Sequence, residues 1–273
     1  MYNIKDVLLH FIKMLNDCGI DNAKQELNFM CDELLGLKRS DLLLLDSFTK
    51  KQYKILKNAV EKRTKRIPLQ IILGKSNFLD AVILENKNTL TPRPETELLA
   101  SIIIDEYKKE KKVILDMCSG SGCIGIALAL QGHDVTCADI SKKAIASAKK
   151  NAELNDVHIK FIHSDMFKKI TEKYDVIVSN PPYINSSDIL CLEPEVRRFD
   201  PPISLDGGED GLKFYSQIAE DASKFLNNNG VLYLEFGIGQ AQSIKKMLSK
   251  NFKNITIIKD YNNIERFIKA EVK

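Results

Sequence analysis

The sequence has no tryptophan, little net charge and no long apolar run. Its 40 basic residues exceed its 37 acidic residues by three in a chain of 273. A footprint on a nucleic-acid duplex needs a larger basic excess, so the overall charge does not favour such a partner. No segment has the roughly 20 consecutive apolar residues that cross a bilayer, and Asp6 and His10 interrupt the apolar N-terminus, which disfavours a signal peptide. We therefore expect a cytoplasmic protein without a membrane partner.

Patterns typical of metal and disulfide sites are also missing. The six cysteines never form a CxxC pair, and the four histidines show no HxxxH pattern or comparable spacing. Disulfide frameworks are typical of small secreted domains, whereas a chain of this length can bury a full core. The sequence therefore predicts free thiols in a reducing compartment and no metal site.

The first seventy residues carry apolar residues at helical spacing. Asn22 with Gln25, and Thr49 with Gln52, each resemble a capping box at the start of a helix. No acidic cluster or glycine-rich turn indicates chemistry in this region. The pattern predicts a small helical bundle over residues 1–70.

Residues 71–94 show a different pattern. Residues 70–74 and 81–84 resemble short strands that can pair as a β-hairpin. Pro92 and Pro94 then interrupt the chain. We interpret this stretch as a hairpin linker to a second domain.

Residues 95–273 alternate strand and helix patterns. The predicted strands cover residues 112–117, 135–138, 159–163, 175–179, 231–236, 255–259 and 266–270. The predicted helices cover residues 124–130, a segment that begins after Ser141, 211–225 and 243–248. This alternation is typical of a mainly parallel sheet with helices on both faces. We therefore expect an α/β domain.

The segment Asn180-Pro181-Pro182-Tyr183 follows the predicted strand 175–179. Two prolines are incompatible with a helix or a paired strand, so the chain must leave the sheet there in an extended turn. Open α/β sheets bind ligands at the carboxyl ends of their strands. The Asn180 oxygen beside a prolyl carbonyl would offer two acceptors to one –NH2 group, and Tyr183 could cover that group with its ring. Alone, the tetrapeptide is equally compatible with an ordinary turn.

Polar residues also follow the three preceding strands. The first runs through Asp116 into the turn Cys118-Ser119-Gly120-Ser121-Gly122, where glycines permit close backbone approach and the next helix offers free N–H groups. Asp139 ends the second strand, a position that suits a ribose diol. Asp165 and Met166 follow the third strand, where a base could be held. Together with Asn180, these strand ends predict a site shaped for a nucleoside.

This order of motifs resembles the S-adenosylmethionine-dependent methyltransferases of the seven-strand class. More narrowly, the chain is similar over nearly its whole length to the HemK/PrmC family, the peptide chain release factor glutamine methyltransferases. Besides the helical N-terminal region, the resemblance rests on Thr91-Pro92-Arg93-Pro94-Glu95-Thr96-Glu97, the turn from Asp116 to Gly122, Asp139, Asn180 to Tyr183, and Leu205-Asp206-Gly207-Gly208-Glu209-Asp210-Gly211. Many family members have glycine where this chain has Cys118, and a small cysteine can be accommodated there if its backbone angles are ordinary.

The resemblance implies a Rossmann-like seven-strand methyltransferase domain over residues 95–273, after the helical bundle (1–70) and the hairpin linker (71–94). It implies S-adenosylmethionine as cofactor, bound by Asp116, Cys118, Ser119, Gly120, Ser121, Gly122, Asp139, Asp165, Met166 and Asn180. It also implies that Asn180, Pro181, Pro182 and Tyr183 bind the substrate, with Asn180, Pro181 and Tyr183 in catalytic roles. The substrate would be the glutamine of the Gly-Gly-Gln loop of class I release factors, docked by the bundle of a monomeric enzyme.

Other functions share the same motifs. Glutamine methylation of a ribosomal protein would use every catalytic residue. A nucleic-acid amino methyltransferase could hold an adenine N6 or guanine N2 group in the same turn, but it would have to flip a base and bind phosphates, and we find no target-recognition domain. A non-catalytic binding module is disfavoured because the cofactor motifs are intact.

Overall fold

The computed structural model describes residues 1–273, the whole chain, and divides into two compact units. The first unit contains Met1–Lys75 and a short returning segment, Glu193–Phe199. The second unit contains Ser76–Leu192 and Asp200–Lys273. None of the helices combines the length and the apolar character needed to span a bilayer.

The bounds of the regular elements are as follows. The helices are α1 (Ile4–Asn16), α2 (Ala23–Leu35), α3 (Arg39–Leu44), α4 (Lys50–Arg63), α5 (Leu69–Leu73), α6 (Pro94–Tyr107), α7 (Cys123–Leu130), α8 (Lys142–Leu154), α9 (Pro194–Phe199), α10 (Lys213–Asp221) and α11 (Ala241–Leu248). The strands are β1 (Tyr2–Asn3), β2 (Ser47–Phe48), β3 (Lys75–Phe78), β4 (Ala81–Leu84), β5 (Val113–Met117), β6 (Asp134–Asp139), β7 (Ile159–His163), β8 (Tyr174–Ser179), β9 (Leu226–Glu235), β10 (Phe252–Lys259) and β11 (Glu265–Val272).

The second unit is built on a seven-stranded sheet in the order β10-β11-β9-β8-β5-β6-β7. The pairs β5–β6, β6–β7, β5–β8 and β8–β9 are parallel, whereas β11 is antiparallel to both of its neighbours. The predicted seven-strand α/β class is therefore confirmed. The chain runs outward from β5 to β7 and then crosses back to β8 on the other side of β5, and this reversal is where such sheets bind ligands.

Both faces of the sheet are covered. Leu115 and Ile177 belong to one core cluster, which includes residues of α10 and α11. Their chain neighbours Ile114 and Val176 belong to the other cluster, which includes residues of α6 and α7. Side chains on a strand alternate between the two faces, so central strands with apolar residues on both sides must lie between two helical layers.

In the first unit, one of the two predicted capping boxes is present. Gln52 N donates to Thr49 Oγ1 (3.2 Å) and Thr49 N donates to Gln52 Oε1 (2.9 Å) at the start of α4. Asn22 stands at the N-cap of α2, but its side chain makes no capping hydrogen bond, so the other box prediction is wrong. The helical character predicted for residues 1–70 holds, with a short β1–β2 pair added.

The strand predicted at residues 70–74 is wrong. Leu69–Leu73 is the helix α5, which ends at Gly74 in the left-handed conformation (φ 80°). The partner of the correctly predicted strand Ala81–Leu84 is Lys75–Phe78 instead. Periodicity cannot separate a strand from a single helical turn in so short an apolar run. The hairpin groups with the sheet-bearing unit.

The returning segment is held within the first unit by ion pairs. Arg63, with 8% of its side chain exposed, pairs with Glu26 (2.6 Å) and with Glu195 of α9 (2.8 Å). Arg66 pairs with Glu195 (2.7 Å) and Glu193 (3.0 Å). Charges in such partly buried positions need partners. Sequence patterns gave no indication that residues 193–199 belong with the bundle.

Candidate active site

A cavity of about 390 Å³ lies at the carboxyl ends of the central strands. This volume is within the range of small-molecule sites. The predicted site residues that line the cavity are Cys118, Ser119, Gly120, Ser121, Asp139, Asp165, Met166, Asn180 and Pro182. Asp116, Gly122, Pro181 and Tyr183 are not among its lining residues.

The turn between β5 and α7 uses both glycines, for different reasons. Gly120 has a φ of 54° and a Cβ added there would meet nothing within 4 Å, so its backbone conformation explains the glycine. Gly122 has a φ of 79°, and a Cβ there would also approach Ala148 Cβ to 3.0 Å. Gly122 N donates to Ser119 O (2.7 Å), which closes the turn just before α7. The result is a tight backbone wall at the start of a helix.

Asp139 joins this turn to the start of α8. Its Oδ2 atom accepts from Gly120 N (2.9 Å) and its Oδ1 atom accepts from Ser141 N (2.7 Å). Ser141 then caps α8, as predicted, by accepting from Ala144 N (3.2 Å). Burial raises the pKa of Asp139 in spite of these hydrogen bonds. Each carboxylate oxygen can still accept another hydrogen bond from a ligand in the cavity.

Asp116 lies beneath the turn and is only 1% exposed. Its Oδ2 atom accepts from Gly125 N in α7 (3.0 Å), whereas its Oδ1 atom is buried without a partner. Burial raises the pKa of Asp116 to about 7. The contact seen for Asp116 is thus with the first turn of α7.

Cys118 does not have ordinary backbone angles. Its φ is 61°, in the left-handed region that favours glycine, so the condition for accommodating a cysteine without strain is not met. Its Sγ atom lies 3.9 Å from the Sδ atom of Met166, a residue that also has a positive φ (46°). This contact joins the segments that follow β5 and β7. Burial, followed by the nearby Asp139 carboxylate, raises the pKa of the Cys118 thiol, which makes it a poor nucleophile.

The Asn180 amide is anchored by two residues that we had not assigned to the site. Asn180 Nδ2 donates to Thr96 Oγ1 (3.0 Å), and Thr96 Oγ1 donates to Glu235 Oε2 (2.7 Å). These contacts use the amide –NH2 and leave Asn180 Oδ1 as an acceptor at the cavity. Their positions in the chain could have assigned them to the site. Thr96 lies in the proline-rich motif, and Glu235 ends β9 at the same edge of the sheet as Asn180.

The turn after Asn180 packs against the glycine-rich segment 205–211. Ile184 N donates to Leu205 O (3.0 Å), and Gly207 N donates to Ile184 O (2.8 Å). A Cβ on Gly207 would lie 2.8 Å from Tyr183 Cα. Gln240 Nε2 donates to Tyr183 O (2.9 Å) from another side. The second glycine motif therefore supports the backbone of the turn.

The proline-rich motif also lines the cavity. Pro94 occupies the first turn of α6, where its missing N–H costs nothing. Arg93 lines the cavity and pairs with Asp200 (2.7 Å), whose side chain is 2% exposed. This pair fixes the segment that carries Thr96.

We expect Asp139→Ala to weaken binding of S-adenosylmethionine by about 1.5–3 kcal/mol, because charged hydrogen bonds to a ligand would be lost. The protein should remain folded, since only two backbone contacts are removed with the carboxylate. Calorimetric titration measures the change. Asp134→Ala is the matched control, since Asp134 begins the same strand and is exposed. Equal affinities for the two folded variants would remove Asp139 from the cofactor site.

The seven-stranded fold and the cavity at its strand ends are those of a Rossmann-like methyltransferase, and comparisons with known families agree. The methyltransferase small domain model matches residues 94–191, and the PrmC N-terminal domain model matches residues 6–74. Among solved structures, a methyltransferase from Pyrococcus furiosus aligns with a TM-score of 0.55 at 18% identity, over 82% of this chain and 98% of that one. The T. thermophilus 16S rRNA N2 G1207 methyltransferase, solved with AdoMet and guanosine, gives 0.54 at 17% identity, over 73% and 50%.

Curated relatives narrow the class. The release factor glutamine methyltransferase of Geobacter sulfurreducens is 35% identical over 283 residues, covering 100% of this chain and 98% of that protein. The protein of the same name from Thermodesulfovibrio yellowstonii is 38% identical over 226 residues, covering 80% and 81%. This chain belongs to the release factor glutamine methyltransferase family, which confirms the resemblance found in its motifs.

Proposed function

We propose that this enzyme transfers a methyl group from S-adenosylmethionine to the side-chain amide nitrogen of the glutamine in the Gly-Gly-Gln motif of class I release factors. The observation that carries the proposal is the anchored Asn180 amide, whose –NH2 is engaged by Thr96 so that its oxygen is available to a substrate –NH2. Family membership supports the same substrate. The enzyme would act as a cytoplasmic monomer.

The residues around the cavity fit the proposed cofactor. Asp139 would accept from the ribose hydroxyls, Met166 would pack on the base, and the turn at Gly120 would lie against the amino-acid portion. Ser119 lines the cavity and its Oγ atom is buried without an internal partner, which suits a polar ligand atom in its vicinity. When bound, the cofactor supplies an electrophilic methyl group on a sulfonium that is a good leaving group.

The protein's own part in the reaction is to orient a weak nucleophile. An amide nitrogen reacts poorly because its lone pair is delocalised into the carbonyl. Asn180 Oδ1 and the Pro181 carbonyl would accept the two N–H bonds, aim the lone pair and stabilise the positive charge that develops on nitrogen. In-line positioning of this kind can supply about 7 kcal/mol or more.

Tyr183 would pack over the substrate amide and exclude water. Burial raises the pKa of its hydroxyl to about 12, so the phenol stays protonated and does not serve as a base at neutral pH. No strong base is needed before attack, because the nitrogen becomes acidic only as the N–CH3 bond forms and the S–CH3 bond breaks; the extra proton on nitrogen is then released to solvent. Tyr183 therefore contributes its flat apolar surface.

We propose that the first unit docks the body of the release factor. It displays Leu43 and Leu44, each 82% exposed, next to the half-exposed Leu45. Side chains of this kind are typical of protein contact surfaces when they are adjacent.

We expect the double substitution Leu43→Asp with Leu44→Asp to raise KM for intact release factor by roughly tenfold, about 1.4 kcal/mol of lost binding. Methylation of a short Gly-Gly-Gln peptide should be unchanged, because the peptide lacks the body of the release factor that the first unit would dock. Tyr261→Asp, which changes an aromatic residue of the second unit that is 85% exposed, is the control. Equal losses on both substrates would show that the leucines support the catalytic unit instead.

Two other classes of substrate carry an –NH2 group that Asn180 could hold. A ribosomal protein would present a similar glutamine, and a nucleic acid would present an adenine N6 or guanine N2 group. Purified release factor, ribosomal protein and RNA should be incubated with cofactor carrying a labelled methyl group. We expect label in the release factor; label confined to either of the others would overturn the proposed substrate.

A further inference from the structure

A buried chain of three polar side chains ends at the catalytic asparagine. Glu235 at the end of β9 is 2% exposed and Thr96 on α6 is 4% exposed. We infer that Glu235 is a positioning residue, which acts through the Thr96 hydroxyl to fix which end of the Asn180 amide faces the substrate. This inference rests on the proposed function, because it concerns the acceptor that would hold the substrate amide.

The direction of each hydrogen bond follows from the number of protons available. An ionised carboxylate only accepts, and a threonine hydroxyl has one proton to donate. Thr96 therefore donates its proton to Glu235 (2.7 Å), and its oxygen must accept from the next group. That group is Asn180 Nδ2 at 3.0 Å. Because Glu235 sets the direction of both hydrogen bonds, Asn180 Oδ1 points away from Thr96. It is then available on the side where the substrate –NH2 group needs an acceptor.

The direction of these hydrogen bonds affects the site because the network is buried. With Thr96 and Glu235 almost fully enclosed, water cannot replace a lost partner, and a buried polar network is effective only when every member is satisfied. Tyr215 Oη donates to Glu235 O (2.7 Å), which fixes the backbone that carries the carboxylate.

The protonation state of Glu235 is balanced by its surroundings. Burial, with a smaller contribution from Glu95, raises its pKa to about 7, although the hydrogen bond from Thr96, the charge of Arg266 and the nearby Asn180 amide act to lower it. Tyr183 is close enough to interact electrostatically with this carboxylate, since the pKa of its hydroxyl is raised by burial and, to a smaller extent, by Glu235.

Adding a proton to Glu235 reverses the chain of hydrogen bonds. A neutral carboxyl group can donate to Thr96, which frees the Thr96 proton to donate toward Asn180. The amide would then turn its oxygen to Thr96 and its –NH2 to the substrate –NH2, so two donors would meet. Methylation should therefore slow as the pH falls through about 7.

Glu235→Gln tests this because it keeps the shape of the side chain but provides a donor. Thr96→Val removes the hydroxyl, and Thr96→Ser restores it. Glu106→Gln is the matched control. Glu106 also accepts a hydrogen bond from a hydroxyl group, that of Tyr233 (2.7 Å), but it makes no contact with Asn180.

We expect Glu235→Gln and Thr96→Val to lower the single-turnover rate roughly tenfold to a hundredfold, with KM and cofactor affinity within about twofold of wild type. Thr96→Ser should regain most of the rate.

The pH profile and the Asn180 amide provide readouts that a purely structural role would not change. The wild-type rate should show an acid limb near pH 7, whereas the Glu235→Gln rate should be low and flat. In protein labelled with 15N-asparagine, the Asn180 side-chain resonance, assigned by its absence in Asn180→Ala, should titrate near pH 7 in wild type and not in Glu235→Gln.

Folded Glu235→Gln and Thr96→Val variants with near wild-type rates would overturn the inference, as would an Asn180 resonance that ignores Glu235. The Asn180 resonance can be recorded without substrate, so it tests the inference about Glu235 independently of the proposed function. A wild-type enzyme that methylates no glutamine would instead overturn the proposed function.

Discussion

Asn180→Ala and Asn180→Asp are expected to lower the single-turnover rate on release factor by on the order of a hundredfold or more, the loss typical of one preorganised transition-state contact. Asn180→Ala removes the acceptor for the substrate amide. Asn180→Asp keeps one oxygen but loses the –NH2 that donates to Thr96 (3.0 Å), so the remaining acceptors are no longer oriented. Cofactor affinity should change little, since the contact is made mainly in the transition state.

A comparable asparagine outside the cavity provides the control for these variants. Asn227 Nδ2 donates to Asp175 Oδ1 (2.8 Å) at the opposite end of β8 from Asn180. Asn227→Ala should leave the rate unchanged at saturating cofactor. If both Asn180 variants also keep near wild-type rates, Asn180 is only a turn residue and the proposed mechanism is wrong.

Gly211→Ala is expected to have the second large effect, on both stability and turnover. A Cβ at Gly211 would lie 2.4 Å from Tyr183 O and 2.6 Å from Gln240 Nε2, so the backbone of the catalytic turn would have to move. The φ of 70° adds strain for any residue with a side chain. Together these effects should cost about 2 kcal/mol or more, visible as a lower thermal unfolding midpoint and a strongly reduced turnover number.

The control for Gly211 separates conformational strain from close contact. Gly132 has a φ of 87°, and a Cβ there would meet nothing within 4 Å. Gly132→Ala should therefore destabilise the protein by the backbone term alone and leave turnover intact. Equal effects of the two substitutions on turnover would show that close approach to Tyr183 is not what requires Gly211.

The strands of the sheet could be predicted from the sequence because each is a short apolar run between turn signals. The turn at Asn180 could be predicted for a related reason, since two prolines force the chain out of a strand whatever the tertiary context. The same logic failed at residues 70–74, where an apolar run before a glycine became the helix α5. Whether this run forms a strand or a helix depends on which segment pairs with β4 and on the left-handed cap at Gly74, and neither can be read from the run itself.

The less predictable parts of the site depend on contacts between distant residues. Glu235 is 139 positions from Thr96, and a carboxylate at the end of a buried strand does not by itself indicate a partner. The left-handed conformation of Cys118 was missed because cysteine rarely adopts it. The pairing of Arg63 with Glu195 was hidden because it joins segments 132 positions apart.

The most direct test of the central claim is tandem mass spectrometry of a class I release factor after incubation with the enzyme and S-adenosylmethionine. We predict that the peptide containing Gly-Gly-Gln gains the mass of one methylene and that fragmentation places it on the glutamine side chain. Asn180→Ala should strongly reduce the methylated fraction at the same incubation time. A methyl group on another residue, or an unmodified release factor under conditions in which the enzyme binds its cofactor, would contradict the account.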